Sequence, residues 1–440
     1  MHRKGKIMSR TCKEEKINRI RLQLPETFDL IVGDNFELFY KGILRAIDPS
    51  HFDFELTFED GNFGHAYKRK FEWAPEERDV GSHALRITVR DDNGDEVDTA
   101  KTVLKVSPKP SSPERERVVL CVGDSLTHSG IWCAEMYRRL TAKDGDPEGY
   151  GLSNIRFIGD KECNGAGYVG YGGWFFTSYT TSFKIGRFYH VFGDFRKTDA
   201  DQHSQYEDEA GNLWKLESVS PTVIKLILVN GKAYALPTSG RLFHRTGGEN
   251  REDIVYSSSE ELAGNPFWYE DLGRVDFRTF AAARGTEKID ACYVLLGWNA
   301  TYMEEEKFIA ETEKFLDILL ADFPDCKITL MGLQVPSRDG FGQNYGTDWK
   351  YYEKLSATFA INRRFEAIAK KPAYLGKVDT INIAGQFDTE YCMPSAEVRV
   401  NNRCAATEIR QSNGVHPSHS GYLQIGDAAL RHFAARLSEK

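Results

Sequence analysis

The sequence predicts an α/β protein with a parallel sheet, preceded by a small all-β region. In residues 17–106, short runs rich in β-branched and aromatic residues are separated by turn-forming residues, as in all-β domains. After residue 117, strand-like apolar runs alternate with segments of helical periodicity, which is typical of a parallel sheet covered by helices. Residues 107–116 are rich in proline and serine and are predicted to form a linker between the two regions.

The all-β region is predicted from alternation and turns. In residues 85–89 every second residue is apolar, as one buried sheet face requires. About ninety residues of this kind indicate a small immunoglobulin-like β-sandwich, without the paired cysteines of antibody domains. Residues 1–16 form a polar, basic tail. The predicted strands are Ile20–Leu24, Phe36–Tyr40, Phe52–Phe58, Ala84–Val89 and Thr99–Val106.

Residues 117–440 are predicted to form the α/β domain. Its strands are Val118–Val122, Ile155–Ile158, Ala291–Leu296, Lys327–Leu333 and Val378–Ile383. Its helices are Ile131–Leu140, Glu304–Ala321, Trp349–Lys370 and Tyr422–Ser438. A β-rich insertion at about 175–275 interrupts the alternation and is a candidate wall or lid of an active site, because it lies beside a strand's carboxyl end. Its predicted strands are Asn212–Val219, Val223–Val229 and Lys232–Leu236, with a turn at Asn230-Gly231.

Composition limits the functional classes. The 440 residues are 41% hydrophobic and 28% charged, as in folded globular proteins. A net charge of −8 without a basic patch disfavours a nucleic-acid partner, and the absence of eighteen consecutive apolar residues disfavours a transmembrane segment. The amino terminus lacks a signal-peptide core, so the sequence as written predicts a cytoplasmic protein and leaves secretion or a periplasmic location open. Without CxxC pairs or clustered histidines, neither a metal nor a cofactor is predicted.

The most informative stretch, residues 118–130, reads VVLCVGDSLTHSG. An apolar strand ends abruptly at a Gly-Asp-Ser-Leu tetrapeptide, and a helix-compatible segment follows. This arrangement places Ser125 at a sharp turn between a buried strand and a helix, where its hydroxyl can be exposed and backbone N–H groups can stabilise negative charge.

The tetrapeptide resembles the signature of the GDSL, or SGNH, hydrolase family. Three further segments match that family's motifs in the same order. They are Gly170-Tyr171-Gly172-Gly173-Trp174, Gly297-Trp298-Asn299 and Asn413-Gly414-Val415-His416-Pro417. Each motif alone is common, but four in the family's order, at predicted strand ends, indicate a shared fold. The resemblance implies a flavodoxin-like three-layer α/β/α hydrolase domain and covers residues 118–437, apart from the insertion.

The resemblance also implies a role for each matched residue. Ser125 would be the nucleophile and His416 the general base that accepts its proton. Backbone N–H groups of Ser125 and Gly173 and the side-chain amide of Asn299 would stabilise the oxyanion of the tetrahedral intermediate. Three neighbours of these donors are candidate substrate contacts, with core packing as the alternative for the tryptophans: Gly172, Trp174 and Trp298.

Asn413 departs from the family's pattern, which has an aspartate three residues before the histidine. In a serine protease the corresponding change of aspartate to asparagine costs about ten-thousandfold in turnover. Asn413 can still accept a hydrogen bond, as an asparagine does in cysteine proteases, and a backbone carbonyl can also orient His416. Asp388 or Glu390 is a further hypothesis for a replacement carboxylate.

The sequence therefore predicts a serine esterase that cleaves small acyl esters. O-acetyl groups on a carbohydrate are the preferred substrate, by analogy with carbohydrate-active members of the family. A lipid or lysophospholipid ester is the enzymatic alternative, and a catalytically weakened carbohydrate- or protein-binding protein on the same fold is the non-enzymatic one. The partner is a small-molecule or glycan ester, and the oligomeric state is left open.

Overall fold

The computed structural model describes residues 20–182, 264–339 and 347–438, together with six strands between residues 188 and 260. The chain divides into two compact units. The larger unit combines Met1–Thr180 with Asp276–Lys440, and the smaller one is Thr181–Val275. In the larger unit, the first strands are β1 (Arg21–Leu22), β2 (Thr27–Ile31), β3 (Phe36–Phe39), β4 (Leu44–Arg45), β5 (Asp53–Phe58), β6 (His65–Ala66), β7 (Lys70–Trp73), β8 (Gly81–Arg90), β9 (Glu96–Ser107), β10 (Arg117–Gly123), β11 (Ile155–Ile158), β12 (Lys161–Cys163) and β13 (Ala166–Gly170).

The smaller unit contains strands β14 (Phe188–Val191), β15 (Gln205–Asp208), β16 (Leu213–Ser220), β17 (Val223–Leu228), β18 (Ser239–His244), β19 (Asp253–Glu260), β20 (Trp268–Tyr269) and β21 (Arg274–Val275). Strands β14 to β19 pair into one closed antiparallel sheet. Strands β16 and β17 overlap two of the strands predicted for the β-rich insertion. The predicted strand Lys232–Leu236 and the turn Asn230-Gly231 lie outside the described residues.

The larger unit ends with β22 (Ala291–Leu295), β23 (Lys327–Met331), β24 (Val378–Ile381), β25 (Ser395–Arg399) and β26 (Thr407–Gln411). Its helices are α1 (Ser125–His128), α2 (Ile131–Thr141), α3 (Phe176–Thr180), α4 (Phe277–Ala282), α5 (Glu305–Asp322), α6 (Asp348–Ala369) and α7 (His419–Ser438). Among the described residues, no helix has both the length and the apolar character that crossing a bilayer requires.

The amino-terminal region consists mainly of two sheets over one apolar core. Strands β2, β9, β8 and β5 form one sheet, and β3, β7 and β6 form the other. Side chains from both sheets, including Leu38, Phe71 and Leu85, lie in the same fully buried cluster. Strand β8 shows the predicted alternation, whereas β2 and β7 were not predicted. The immunoglobulin-like class stays a prediction.

The central sheet has the strand order β12-β13-β10-β22-β23-β24, with β11 also beside β10. All neighbours from β13 to β24 are parallel, which confirms the predicted mixed α/β fold with a parallel sheet. Gly123, near the end of β10, lies opposite Gly170 of β13 and Leu295 of β22. The loops that follow these strands therefore leave the sheet at the same edge.

The amino-terminal region packs closely on the α/β region. A Cβ on Gly42 would lie 1.7 Å from the carbonyl oxygen of Ala384, so the two backbones touch where only glycine fits. On α2, the guanidinium of Arg139 is buried and pairs with Asp34 at 2.6 Å and with Asp427 of α7 at 2.7 Å. The sequence does not predict this contact, because its partners lie more than one hundred residues apart.

Candidate active site

Ser125 is the first residue of α1, directly after β10. The turn requires glycine at position 123, since a Cβ there would lie 2.0 Å from Oγ1 of Thr127 and 2.6 Å from the carbonyl oxygen of Leu295. Asp124 caps the helix by accepting the backbone N–H of Leu126 at 3.0 Å. Ser125 is thus held at the carboxyl edge of the parallel sheet, as the sequence predicts.

The glycine motif lies beside Ser125. The backbone N–H of Tyr171 donates to the carbonyl oxygen of Gly123 at 3.2 Å. A Cβ on Gly172 would lie 3.9 Å from Cβ of Ser125, and one on Gly173 would meet no atom within 4 Å. Gly173 has φ +79°, a conformation that favours glycine. The backbone next to the serine is therefore uncovered, as an oxyanion donor at Gly173 requires.

Asn299 connects the first three motifs. It lies in the short 3-10 turn Trp298–Ala300 that follows β22. Its Nδ2 donates to the carbonyl oxygen of Trp174 at 3.1 Å and to Oδ2 of Asp124 at 3.4 Å. The side-chain amide proposed as an oxyanion donor thus contacts residues next to both Ser125 and Gly173.

Asp124 is a fully buried carboxylate at the centre of this arrangement. Burial raises the pKa of Asp124 to about 7, although backbone N–H groups of Leu126, Gly297 and Trp298 oppose the shift. The side chain therefore changes charge near neutral pH. In its ionised form it accepts hydrogen bonds from the turn that carries Asn299.

Lys354 is a functional candidate that the sequence analysis missed. It lies on α6, is 6% exposed, and donates to Oγ1 of Thr301 at 2.5 Å and to the carbonyl oxygen of Trp298 at 3.4 Å. Burial lowers the pKa of Lys354 to about 8, against the opposing charge of Asp124. Lys354 lies on the buried face of α6, beside Tyr351, Leu355 and Thr358.

The His416 segment is held at the same edge of the sheet by the loop that follows β23. Nε2 of Gln334 donates to the carbonyl oxygen of Val415 at 3.0 Å. The backbone N–H of Ser337 donates to the carbonyl oxygen of Gly414 at 3.3 Å. Further along the chain, burial and, to a smaller extent, the negative charge of Asp124 raise the pKa of Tyr422 on α7. The fourth motif is therefore joined to the edge that carries the other three.

Asn413 organises the backbone that leads to His416. Its Oδ1 accepts the backbone N–H of Val415 at 2.8 Å and that of His416 at 2.9 Å. These two bonds use both lone pairs of the oxygen. A direct contact between Asn413 and the imidazole stays a prediction, and the structure adds a different role for this side chain.

The His416 imidazole is partly buried, and burial lowers its pKa. Within the described residues no charged group contributes to that shift. Burial therefore favours the neutral ring, the form that accepts a proton from a serine hydroxyl. No carboxylate among the described residues contributes to its pKa, so none is shown to stabilise an imidazolium.

Asp388 and Glu390 contact the amino-terminal region. Arg69 donates from Nη2 to Asp388 at 2.7 Å and from Nε to Glu390, which also accepts from Lys41 at 2.9 Å. Neither carboxylate contributes to the pKa of His416. The hypothesis that one of them replaces the missing aspartate is therefore not supported by their contacts.

The two tryptophans proposed as substrate contacts are buried. Trp174 is 1% exposed and stacks on Tyr171 with ring centroids 4.4 Å apart. Trp298 is 4% exposed, and its ring centroid lies 4.5 Å from Nζ of Lys354. Their burial favours the packing interpretation over substrate stacking. In the part of the chain that the structure describes, no group of three His, Cys, Asp or Glu side chains is placed to hold a metal ion.

Comparisons with known proteins give only distant likenesses. No protein-family model matches the sequence, and no curated protein matches it either. The chain is similar to the solved structure of Est24, a carbohydrate acetylesterase from Sinorhizobium meliloti, with 12% identity over 73% of this chain and 100% of that one and a TM-score of 0.33.

Two other solved structures are similar at the same level. A peptidoglycan O-acetylesterase has 11% identity over 74% of this chain and 93% of its own, with a TM-score of 0.32. A family two carbohydrate esterase from Clostridium thermocellum, in complex with cellohexaose, has 12% identity over 95% of this chain and 97% of its own, with a TM-score of 0.29. These likenesses are too weak to carry an argument about activity.

Proposed function

We propose that this protein is a serine esterase that removes small acyl groups, with O-acetyl groups of a carbohydrate as the preferred substrates. The observation that carries the proposal is the position of Asn299. Its amide bonds to Trp174 and approaches Asp124, so the predicted oxyanion donor lies between the nucleophile motif and the glycine motif. The choice of a carbohydrate ester rests on the family resemblance of the motifs.

The chemistry is a two-step acyl transfer. Ser125 Oγ attacks the ester carbonyl carbon while His416 accepts the hydroxyl proton, and the negative oxygen of the tetrahedral intermediate faces the N–H groups of Ser125 and Gly173 and the amide of Asn299. Collapse breaks the bond to the alcohol, which leaves with the proton from His416. Water then attacks the acyl-enzyme by the same route, releasing the acid and restoring Ser125.

The Asn299 contacts suit this role. Its bond to the Trp174 carbonyl, at 3.1 Å, fixes the plane of the amide, whereas the contact with Asp124 is longer, at 3.4 Å. The more weakly held N–H is available for an oxyanion, and removing one such donor typically costs about 3 kcal/mol of transition-state stabilisation. Asn299→Ala should therefore lower kcat about a hundredfold.

The decisive assay is hydrolysis of p-nitrophenyl acetate by the wild type, Ser125→Ala and His416→Ala. The matched control is Ser129→Ala, an exposed serine four residues further along the chain. Loss of turnover in the first two variants, with full activity in the control, supports the esterase. Equal rates in the wild type and Ser125→Ala contradict it.

A second candidate function, a weakened enzyme that binds acylated glycans, is favoured by the His416 environment. Burial, with no contribution from a carboxylate in the part of the chain that the structure describes, disfavours the imidazolium that must protonate a sugar alcohol as it leaves. Acetylated xylo-oligosaccharides and lysophosphatidylcholine are therefore tested alongside p-nitrophenyl acetate. Turnover of the sugar ester indicates the carbohydrate esterase, turnover of the lipid indicates the lipid alternative, and binding of the sugar without turnover indicates the weakened enzyme.

A further inference from the structure

A buried ammonium group lies behind the segment that carries Asn299. Lys354 is 6% exposed, and its Nζ lies 4.5 Å from the ring centroid of Trp298 and 5.2 Å from that of Tyr302. The two aromatic faces provide a favourable environment for a cation. Lys354 therefore packs on the turn that follows β22 and points its charge at it.

Lys354 fastens both sides of that turn. It donates to the carbonyl oxygen of Trp298, the residue before Asn299, and to Oγ1 of Thr301, two residues after it. Thr301 in turn donates from Oγ1 to the same Trp298 carbonyl at 3.1 Å. The ammonium thus closes a small ring of hydrogen bonds around the backbone of Asn299.

A structural role alone does not account for a lysine here. Burying an ammonium group is unfavourable, and an apolar side chain of similar length would fill the same space without that penalty. Asp124, from the β10–α1 turn, is the charged group that acts on Lys354 within the described residues. Asp124 also acts on Tyr422 of α7, and both it and Lys354 contact the turn that carries Asn299.

We propose that Lys354 is a positioning residue for the oxyanion donor Asn299, acting through the Trp298 carbonyl and the Thr301 hydroxyl. The inference rests on the proposed esterase function and adds a residue outside the four sequence motifs. The positive charge of Lys354 also favours negative charge at Asp124 and at the oxyanion. Loss of that charge loosens the turn and weakens both effects.

The test compares Lys354→Met and Lys354→Arg with Lys350→Met, which removes an exposed lysine from the same helix. In p-nitrophenyl acetate hydrolysis, Lys354→Met should lower kcat by about ten- to a hundredfold, because small misplacements of a catalytic group have effects of that size. KM should change by less than about threefold if only the transition state loses a contact. Lys350→Met should match the wild type.

The pH profile separates positioning from packing. In the wild type, kcat should fall as pH rises through about 8, where Lys354 loses its proton. The Arg variant keeps its charge, so its decline should move to higher pH, and the Met variant should lack this step. Lys354→Arg decides the question if Lys354→Met does not fold.

Each outcome has one meaning. Equal kcat and equal pH profiles in the wild type and Lys354→Met overturn the inference while leaving the esterase intact. An unshifted alkaline decline in Lys354→Arg also overturns it. Absence of Ser125-dependent hydrolysis in the wild type overturns the proposed function, and the inference falls with it. A lower kcat in Lys354→Met, together with an alkaline decline that moves to higher pH in Lys354→Arg, supports both the proposed function and the inference.

Discussion

Two groups of charged residues in the larger unit differ in their environment. Asp124, directly after β10, and Lys354, on α6, are buried, and burial shifts the pKa values of both side chains towards neutrality. Between the amino-terminal region and the loop after β24, Arg69 pairs with Asp388 and Glu390 at a partly exposed site. Burial alone would raise the pKa of Glu390, but hydrogen bonds from Lys41 and Arg69 hold it below its usual range.

The comparison separates charges held at a cost from charges that stabilise each other. Isolated buried charges are unfavourable and are retained where chemistry needs them. Paired charges near solvent contribute modestly to folding. We therefore expect substitutions in the first group to change activity more than stability, and substitutions in the second to do the reverse.

The largest expected effect follows from Asp124→Asn. An amide at this position turns an acceptor into a donor facing the backbone N–H groups of Gly297 and Trp298 or Nδ2 of Asn299. Because the backbone of the turn that carries Asn299 then loses its acceptor, kcat for p-nitrophenyl acetate should fall by about a hundredfold or more. Circular dichroism checks that the fold is retained, and unchanged kcat would remove Asp124 from the site.

The pH dependence of stability sharpens the same contrast. The pKa of Asp124 rises from an ordinary value of 3.8 to about 7 on folding, so the folded state holds this proton more tightly. Its contribution to the free energy of unfolding therefore declines as pH rises from about 4 to about 7 and is then constant. The difference between the wild type and Asp124→Asn, measured by urea unfolding across this range, should follow that course. A difference independent of pH would contradict the shift.

A smaller effect on activity is expected from Arg69→Gln. This change leaves Asp388, with a side chain only 12% exposed, without its cation, and should lower the free energy of unfolding by about 1 kcal/mol. The loop after β24 reaches the His416 segment, since the backbone N–H of Ser418 donates to the carbonyl oxygen of Cys392 at 3.0 Å. We therefore expect kcat to fall only a few-fold. Urea unfolding and the esterase assay measure the two effects. A large loss of kcat with an unchanged free energy of unfolding would contradict the expected difference between the two groups.

The smallest effect is expected from Arg90→Gln. Arg90 pairs with Glu55 at 3.1 Å between exposed side chains of the amino-terminal sheet. Exposed pairs of this kind are typically worth less than about 1 kcal/mol. Unfolding and activity should both match the wild type within error. A measurable loss of kcat would show that the amino-terminal sheet acts on the site through contacts other than Arg69.

The sequence predicts features that depend on neighbours in the chain. The strand-turn-helix at Ser125 is predicted from one contiguous stretch of sequence, and the neighbouring strands of the sheet are predicted from apolar runs. Strand β13 was missed because Ala166–Gly170 is short and rich in glycine, although its residues lie fully buried in the parallel sheet. Glycine weakens a strand pattern without preventing a close approach of backbones.

The remaining features depend on pairs far apart in the chain. Lys354 and Asp124 are separated by more than two hundred residues, and nothing local to either marks the other as its partner. Asn413 reads as a weakened form of a catalytic aspartate, whereas in the structure its oxygen holds the backbone of Val415 and His416. A motif identifies the residue types that meet at a site, but not which of their atoms are already occupied.

The close backbone contact between Gly42 and Ala384 has a practical consequence for expressing parts of this protein separately. A fragment that begins at Arg117 would leave Arg139 facing water where Asp34 now completes its ion pair, and would uncover the main chain around Ala384. Transplanting residues 117–440 into another protein, or replacing residues 20–106 with a foreign module, therefore calls for a redesigned surface on both α2 and the segment beside Ala384.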